Sequence, residues 1–398
     1  MTNRRTRPVA VRHVPDVLHL GDDAADRLLQ RIYAARGVTD PVELDYGLRG
    51  MLPVSSLAGI DEAVALIRRY ATESIMVIGD FDADGATSTA LVMRCLREFG
   101  IDNVDYLVPN RFRFGYGLTP EIVRVAAERS PALLITVDNG VSSVAGVEEA
   151  HKLGMKVLIT DHHLPGAMLP DAEANVNPNL AGSEFASPNL AGVGVAFYLM
   201  AALGRALESD GRKGAARVPA KYLDLVALGT VADVVRLDHN NRILVAQGLK
   251  RIRAGHAVPG IAALFRQAGR STARAVSTDL GFAAGPRLNA AGRLEDMSVG
   301  IECLLTDDQQ TADQYAEVLD GINRERKDIE ARMREEAFAY VDAMDATRLP
   351  ACVCLYDEAW HQGIVGLIAA RVRERCDRPV IAFAKESEGQ LKGSARSI

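Results

Sequence analysis

IMVIGDFDADGATSTA, residues 75–90, decides how the rest of the chain is read. The apolar run Ile75-Met76-Val77-Ile78 predicts a buried strand that stops at Gly79. Asp80, Asp82 and Asp84 follow at every second position, then Gly85 and a helical run expected to begin at Ala86-Thr87-Ser88. Carboxylates this close repel one another, and without a counter-charge at least one is pushed toward protonation. A divalent cation removes that penalty. From spacing alone an acidic surface turn is the plain alternative. The strand in front weighs against it, because open α/β sheets bind ligands at the carboxyl ends of their strands.

Outward from this stretch, strands and helices alternate as in an α/β fold. Residues 57–69 read as an amphipathic helix leading into the first strand. Residues 104–108 form a second strand, and Thr119-Pro120-Glu121 opens a helix with Thr as N-cap and Pro in the first turn. Residues 133–137 (LLITV) are a third strand ending in Asp138-Asn139-Gly140, and residues 156–160 (KVLIT) a fourth ending in Asp161-His162-His163. Three strands thus each end in an acidic residue: Asp80, Asp138 and Asp161. In a parallel sheet these ends lie side by side, so their side chains can converge.

Beyond the NVNPN turn at 175–179, GVGVAFYLMAALGRAL (192–207) reads as a core helix. LDLVALGTVADVV (223–235) is another apolar run, and it sets the carboxylate of Asp233 among Val231, Ala232, Val234 and Val235. A charge in such surroundings needs a partner, and a metal is a suitable one. Residues 307–346 are highly charged, with opposite charges three and four apart, which predicts one long exposed helix and a domain boundary. A second α/β unit follows: a strand at 351–356, a helix at 364–375 and a strand at 380–383.

At 398 residues the chain is too long for one small core. It is 48% hydrophobic and 25% charged, ordinary for a globular protein, and no run approaches the length of a membrane span. MTNRRTRPVAVRHV at the start is basic but has no apolar segment behind it, so a secretory signal is not expected and a cytoplasmic location is. The five cysteines (95, 303, 352, 354 and 376) include no C-x-x-C pair, which argues against a thiolate metal site. A net charge of −6 is not the basic footprint of most nucleic-acid proteins, but metal-binding carboxylates count as negative only until they are loaded.

The candidate ligands are Asp80, Asp82, Asp84, Asp138, His162 and Asp233. Oxygen donors with one imidazole suit Mn²⁺ or Mg²⁺ better than zinc. There are enough carboxylates for one to bridge two ions, an arrangement that stabilises the attacking and leaving oxygens of a displacement at phosphorus. His163, beside a ligand, can donate to a phosphate oxygen. Arg287 and Arg293 flank GPRLNAAGR, read as a glycine-rich turn, and guanidinium forks match phosphates. Arg111, Phe112, Arg113, Phe114 and Tyr116 interleave charge with aromatics, as a platform for single strands would.

The motifs DFDADG (80–85), DNG (138–140) and DHH (161–163) resemble those of the DHH phosphoesterase superfamily. PNRFRFGYGL (109–118), LGTVADVV (228–235), GPRLNAAGRL (285–294), HQGIVGLIAA (361–370) and KGSARSI (392–398) are similar to its single-stranded-DNA exonuclease branch. The resemblance covers the chain from about residue 45 onward. It implies a parallel-sheet DHH catalytic domain (51–306) behind an N-terminal extension (1–50). A connecting long helix (307–346) then leads to the first part of a smaller α/β domain of the DHHA1 type (347–398). The six candidate ligands match the family's metal ligands, and Asp82, Asp161 and His163 its catalytic residues. Arg111, Tyr116, Arg287, Asn289, Arg293 and His361 match substrate-binding positions, as does a phosphate-binding loop of Gly393, Ser394 and Arg396. The family pattern continues past KGSARSI with a glycine- and histidine-containing stretch and an OB-fold, so the second domain is expected to be incomplete here. The implied activity is 5′→3′ hydrolysis of single-stranded DNA to 5′-mononucleotides in repair and recombination, with a single-strand-binding protein and a helicase as partners and no membrane. The alternatives are a phosphodiesterase on short oligonucleotides or cyclic dinucleotides, and a non-catalytic nucleic-acid-binding scaffold, which eroded ligands would mark.

Overall fold

The structure is a computed structural model that describes residues 13–16, 18–110, 114–344 and 349–398. Its first part runs α1 (Ala24–Ala34), α2 (Ile60–Arg69), β1 (Ile75–Ile78), α3 (Ala83–Glu98), β2 (Val104–Leu107), α4 (Pro120–Ala127), β3 (Leu133–Val137), α5 (Val144–Lys152), β4 (Lys156–Thr160) and β5 (Ala174–Val176). The strands form one parallel sheet in the order β2-β1-β3-β4-β5. Ile78 is level with Leu107 and Thr136, and Val137 with Thr160, so the carboxyl ends share one edge. The chain steps outward from β1 to β2 and then back across to β3. The edge beside β1 and β3 is therefore the topological switch point, where such sheets bind ligands.

β1 is buried on both faces, as a central parallel strand must be. Ile75 and Val77 face a core made with α2, α3 and α6 (Gly192–Ser209), while Met76 and Ile78 face Ile122 and Val123 of α4 and Val147 of α5. Helices α7 (Leu223–Ala232), α8 (His239–Arg253), α9 (Pro259–Gln267), the short α10 (Ser277–Asp279), α11 (Gly285–Leu294) and α12 (Ser298–Leu305) complete this unit.

α13 (Gln309–Asp342) is capped by Asp308, whose carboxylate accepts from the Thr311 amide. At 1.5 Å per residue it is about 51 Å long. Its last turns enter a second core: Met333, Ala337 and Val341 pack with β6 (Val353–Tyr356), α14 (Val365–Cys376) and β7 (Val380–Ser387). In that sheet β6 pairs parallel with β7, and β8 (Gln390–Arg396) pairs antiparallel on its other side.

Four local expectations are corrected. α3 begins at Ala83 rather than Ala86, because Asp82 serves as its N-cap and draws Asp84 into the first turn. β5 was not anticipated, since three residues leave little pattern to read. GPRLNAAGR is the helix α11, entered through a π-helical turn at Leu280–Ala284, and not a turn. Gly393, Ser394 and Arg396 lie on β8 and not on a loop, because pairing with β7 carries a segment of weak strand propensity.

Candidate metal centre

Each ligand candidate is delivered by a specific local device. Asp80 leaves the end of β1 and accepts from the Phe81 amide at 2.8 Å. Asp82 Oδ1 accepts from the amides of Asp84 and Gly85 at 2.9 and 3.0 Å. Asp84 lies fully buried, and its two oxygens accept from the amides of Gly192 and Val193 at 2.7 and 2.9 Å, at the positive end of α6. Asp138 sits just past β3 in the left-handed region, at φ 63°, a conformation that Asp tolerates better than most residues. Gly192 makes room for it: a Cβ there would lie 2.5 Å from Asp138 Oδ1. Asp233 caps α7, and Val234 behind it also has a left-handed φ, 64°. For a β-branched residue that is a strained backbone, held at the turn that aims Asp233 inward.

These groups meet at His162. Its Nε2 is 3.1 Å from Asp138 Oδ1, 3.6 Å from Asp233 Oδ2 and 3.9 Å from Asp84 Oδ2. Ligand atoms of Asp84, His162 and Asp233 lie within 4.8 Å of one another, as do those of Asp80, Asp82 and Asp138, and those of Asp138, His162 and His163. Asp138 therefore belongs to both a carboxylate set and a histidine set. Its Oδ1 and the His162 Nε2 are buried and make no hydrogen bond within the protein. Burial and the charges of Asp233 and Asp82 push Asp84 well above the usual carboxylate range; burial and the charges of Asp84 and Asp82 do the same to Asp138. Burial, then the charge of Asp82, brings Asp233 up to about 6. Burial and the neighbouring His163 push His162 down to about 4, leaving a neutral imidazole able to ligate. Buried orphan donors of this kind, among carboxylates that repel, fit one or two hard divalent cations.

A second layer holds the two histidines. Asp161 accepts from the amides of Val141 at 2.8 Å, His162 at 2.7 Å and His163 at 3.0 Å, and its Oδ1 lies 2.7 Å from His163 Nδ1. Burial pushes Asp161 up, but the bonds from His163 and the Val141 amide outweigh it and hold the carboxyl below its usual value. The bond to Asp161 in turn raises His163. Asn177 and Asn179 donate to the carbonyls of His163 and His162 at 2.9 and 2.6 Å. Asn139 donates to the carbonyls of Ile78 and Val137 at 3.1 and 2.9 Å, tying together the ends of β1 and β3. None of these asparagines was singled out from the sequence. Their signal was position alone, within DNG and NVNPN.

Tyr116 lies at the rim, its hydroxyl 3.3 Å from His163 Nε2 and its ring edge-on to Phe81. Arg111 lies outside the described residues. Other substrate candidates stand elsewhere. Arg287 is mostly buried and paired with Asp320 at 2.7 Å, and also donates to the Ala283 carbonyl. Asn289 Oδ1 accepts from the Ala83 amide at 2.8 Å. Arg293 reaches the Gly363 carbonyl at 3.4 Å, and His361 Nδ1 accepts from the Gly363 amide at 3.1 Å. Ser394 Oγ accepts from Arg396 at 2.9 Å, and both pack over Gly366 in the first turn of α14. The structure thus gathers the six ligand candidates with Asp161, His163 and Tyr116. Of the other described candidates, Arg287, Asn289 and Arg293 lie on α11 of the first unit, Asn289 touching the metal loop at Ala83, while His361, Gly393, Ser394 and Arg396 belong to the second unit, which meets α11 where Arg293 reaches Gly363.

The DHH family N-terminal domain matches residues 74–230. The single-stranded-DNA-specific exonuclease RecJ of Dickeya dadantii is 53% identical over 406 aligned residues, covering 100% of this chain and 69% of the relative. The chain belongs to the RecJ family. That makes it a member of a family of phosphodiester hydrolases. A crystal structure of RecJ bound to manganese superposes with a TM-score of 0.75 at 33% identity, over 87% of this chain and 84% of that one. RecJ of Thermus thermophilus in complex with Mg²⁺ gives 0.67 at 30% identity, over 92% and 48%. RecJ thus binds both ions expected from the donor set. The chain spans 66–69% of the length of RecJ from Dickeya dadantii, Escherichia coli and Salmonella typhimurium, and 42% of that from Bacillus subtilis. Among the described residues no single helix is long and apolar enough to cross a membrane.

Proposed function

We propose that this chain hydrolyses single-stranded DNA from its 5′ end, releasing 5′-mononucleotides, in a reaction that depends on Mn²⁺ or Mg²⁺. One observation carries this reading: Asp84, Asp138 and Asp233 converge within 3.9 Å of the His162 imidazole at the switch point of the sheet. Asp80, Asp82, Asp84, Asp138, His162 and Asp233 would hold the ions. When bound, two such ions supply Lewis-acid stabilisation of the attacking and leaving oxygens of a phosphodiester.

The chain's own residues then divide the work. Asp161 fixes the His163 ring and favours its protonated form, so Nε2 can donate to a phosphate oxygen. Tyr116, half-exposed beside it, offers a face to a terminal base or sugar, with Arg111 five residues earlier in the sequence. Arg293 and His361, where the two units meet, with Gly393, Ser394 and Arg396 on β8, would take phosphates further along the strand. A single-strand-binding protein and a helicase are the proposed partners, and the cytoplasm the proposed compartment.

The test is a digest of 5′- and 3′-labelled single-stranded DNA with and without Mn²⁺, alongside a dinucleotide. Metal-dependent release of 5′ label as mononucleotide is the expected result. Equal or faster turnover of the dinucleotide would transfer the activity to short oligonucleotides.

A further inference from the structure

We propose that Asn289 is a positioning residue for the metal loop, acting through the backbone of residues 81–85 and not through the substrate. The inference rests on the metal-centre reading above. The first turn of any helix leaves amides without partners inside the helix. In α3 these include Ala83, Asp84 and Gly85. Asp82 Oδ1 takes two of them, Asp84 and Gly85. The third, on buried Ala83, is taken by Asn289 Oδ1 at 2.8 Å, from 206 residues away in sequence. The cap of the metal-binding helix is therefore shared between a local aspartate and a remote asparagine.

A second contact makes the same connection. Gly292, one turn further along α11, lies so close to the metal loop that a Cβ would stand 1.6 Å from the Phe81 carbonyl oxygen. α11 thus grips the residues on both sides of Asp82: Phe81 by backbone contact and Ala83 by a hydrogen bond. With Asn289 removed, Ala83 keeps a buried donor with no acceptor, and the cheapest repair is a shift of the loop or of the Asp82 carboxylate. Either moves a ligand.

The experiment compares Asn289→Ala and Asn289→Asp in the whole chain, the second retaining an acceptor oxygen. Three quantities are read: Mn²⁺ affinity by calorimetry, amide exchange of the segment 79–90, and binding of a dT oligonucleotide without metal. Asn289→Ala is expected to speed exchange at residues 83–85 and to weaken Mn²⁺ binding by up to about thirty-fold, the range of a lost helix cap. Oligonucleotide binding should not change. Asn289→Asp should restore slow exchange and Mn²⁺ binding. The inference is overturned if Asn289→Ala loses oligonucleotide affinity while exchange and Mn²⁺ binding stay as in the parent, which is the pattern of a substrate contact. Should Asn289→Ala not fold, fast exchange at Ala83 in Asn289→Asp overturns it and slow exchange supports it. If the parent chain itself binds no Mn²⁺, the metal-centre reading fails, and the exchange data still decide the role of Asn289.

Discussion

Asp82 and Asp161 do different work although both end in a carboxylate near a histidine. Asp82 spends Oδ1 on two helix amides, and its carboxylate also belongs to the ligand set with Asp80 and Asp138. Asp82→Ala is expected to abolish Mn²⁺-dependent cleavage and leave DNA binding measurable; undiminished cleavage would refute the proposed site. Asp161 is saturated by amides and by His163, so it acts through the ring it holds. For Asp161→Asn we expect kcat to fall on the order of 10²-fold, the scale of a misplaced proton donor, with Mn²⁺ affinity close to the parent. Steady-state kinetics and calorimetry on one preparation separate the two aspartates.

At the scale of elements, the centre is an assembly of helix ends on a sheet edge. α3 brings Asp82 and Asp84, α6 presents its first amides to Asp84, α7 ends in Asp233, and β3 ends in Asp138. Gly192→Ala would place a methyl group 2.5 Å from Asp138 Oδ1. Overpacking of this kind costs about 1–3 kcal/mol, measurable by urea unfolding, and Mn²⁺ affinity should fall with it. Wild-type stability in that variant would mean that α6 can retreat from the site. Much of this assembly was legible in the sequence. Three apolar strands ending in Asp80, Asp138 and Asp161 have only one economical arrangement, and Asp233 stood out against its apolar neighbours. What was not legible depends on contacts remote in sequence. A D-x-D-x-D run has period two, which hides that Asp84 already belongs to a helix. Glycines in GPRLNAAGR read as a turn, whereas Gly292 is there for close approach of α11 to Phe81. The acceptor role of Asn289 has no local signature at all.

At the scale of the whole molecule, the metal centre sets the pH response. Without metal, Asp84, Asp138 and Asp233 all titrate above their usual range, Asp233 near about 6. The folded state then binds more protons than the unfolded chain as the pH falls from 7 through 6, and raised His163 contributes with the same sign. Stability of the chelated protein should therefore rise over that interval as far as these groups determine it, with His162, held down to about 4, opposing the rise because only the unfolded chain protonates it there. Mn²⁺ competes with the same protons, so the rise in Tm on adding it should shrink as the pH falls. Thermal melts at pH 7.5 and about 6, with and without chelator, check both signs. A metal increment that grows on acidification would contradict the ligand assignment.

The hydrogen bond from Ala83 to Asn289 also has a bearing on synthesis. All six candidate ligands have left the ribosome by the time residue 233 is free, whereas Asn289 follows 56 residues later. At ordinary elongation rates that interval is roughly 3–11 s. For those seconds the nascent chain carries a full set of donors whose helix is capped on one side only. Any cation captured then is held by a loop that has yet to receive its brace.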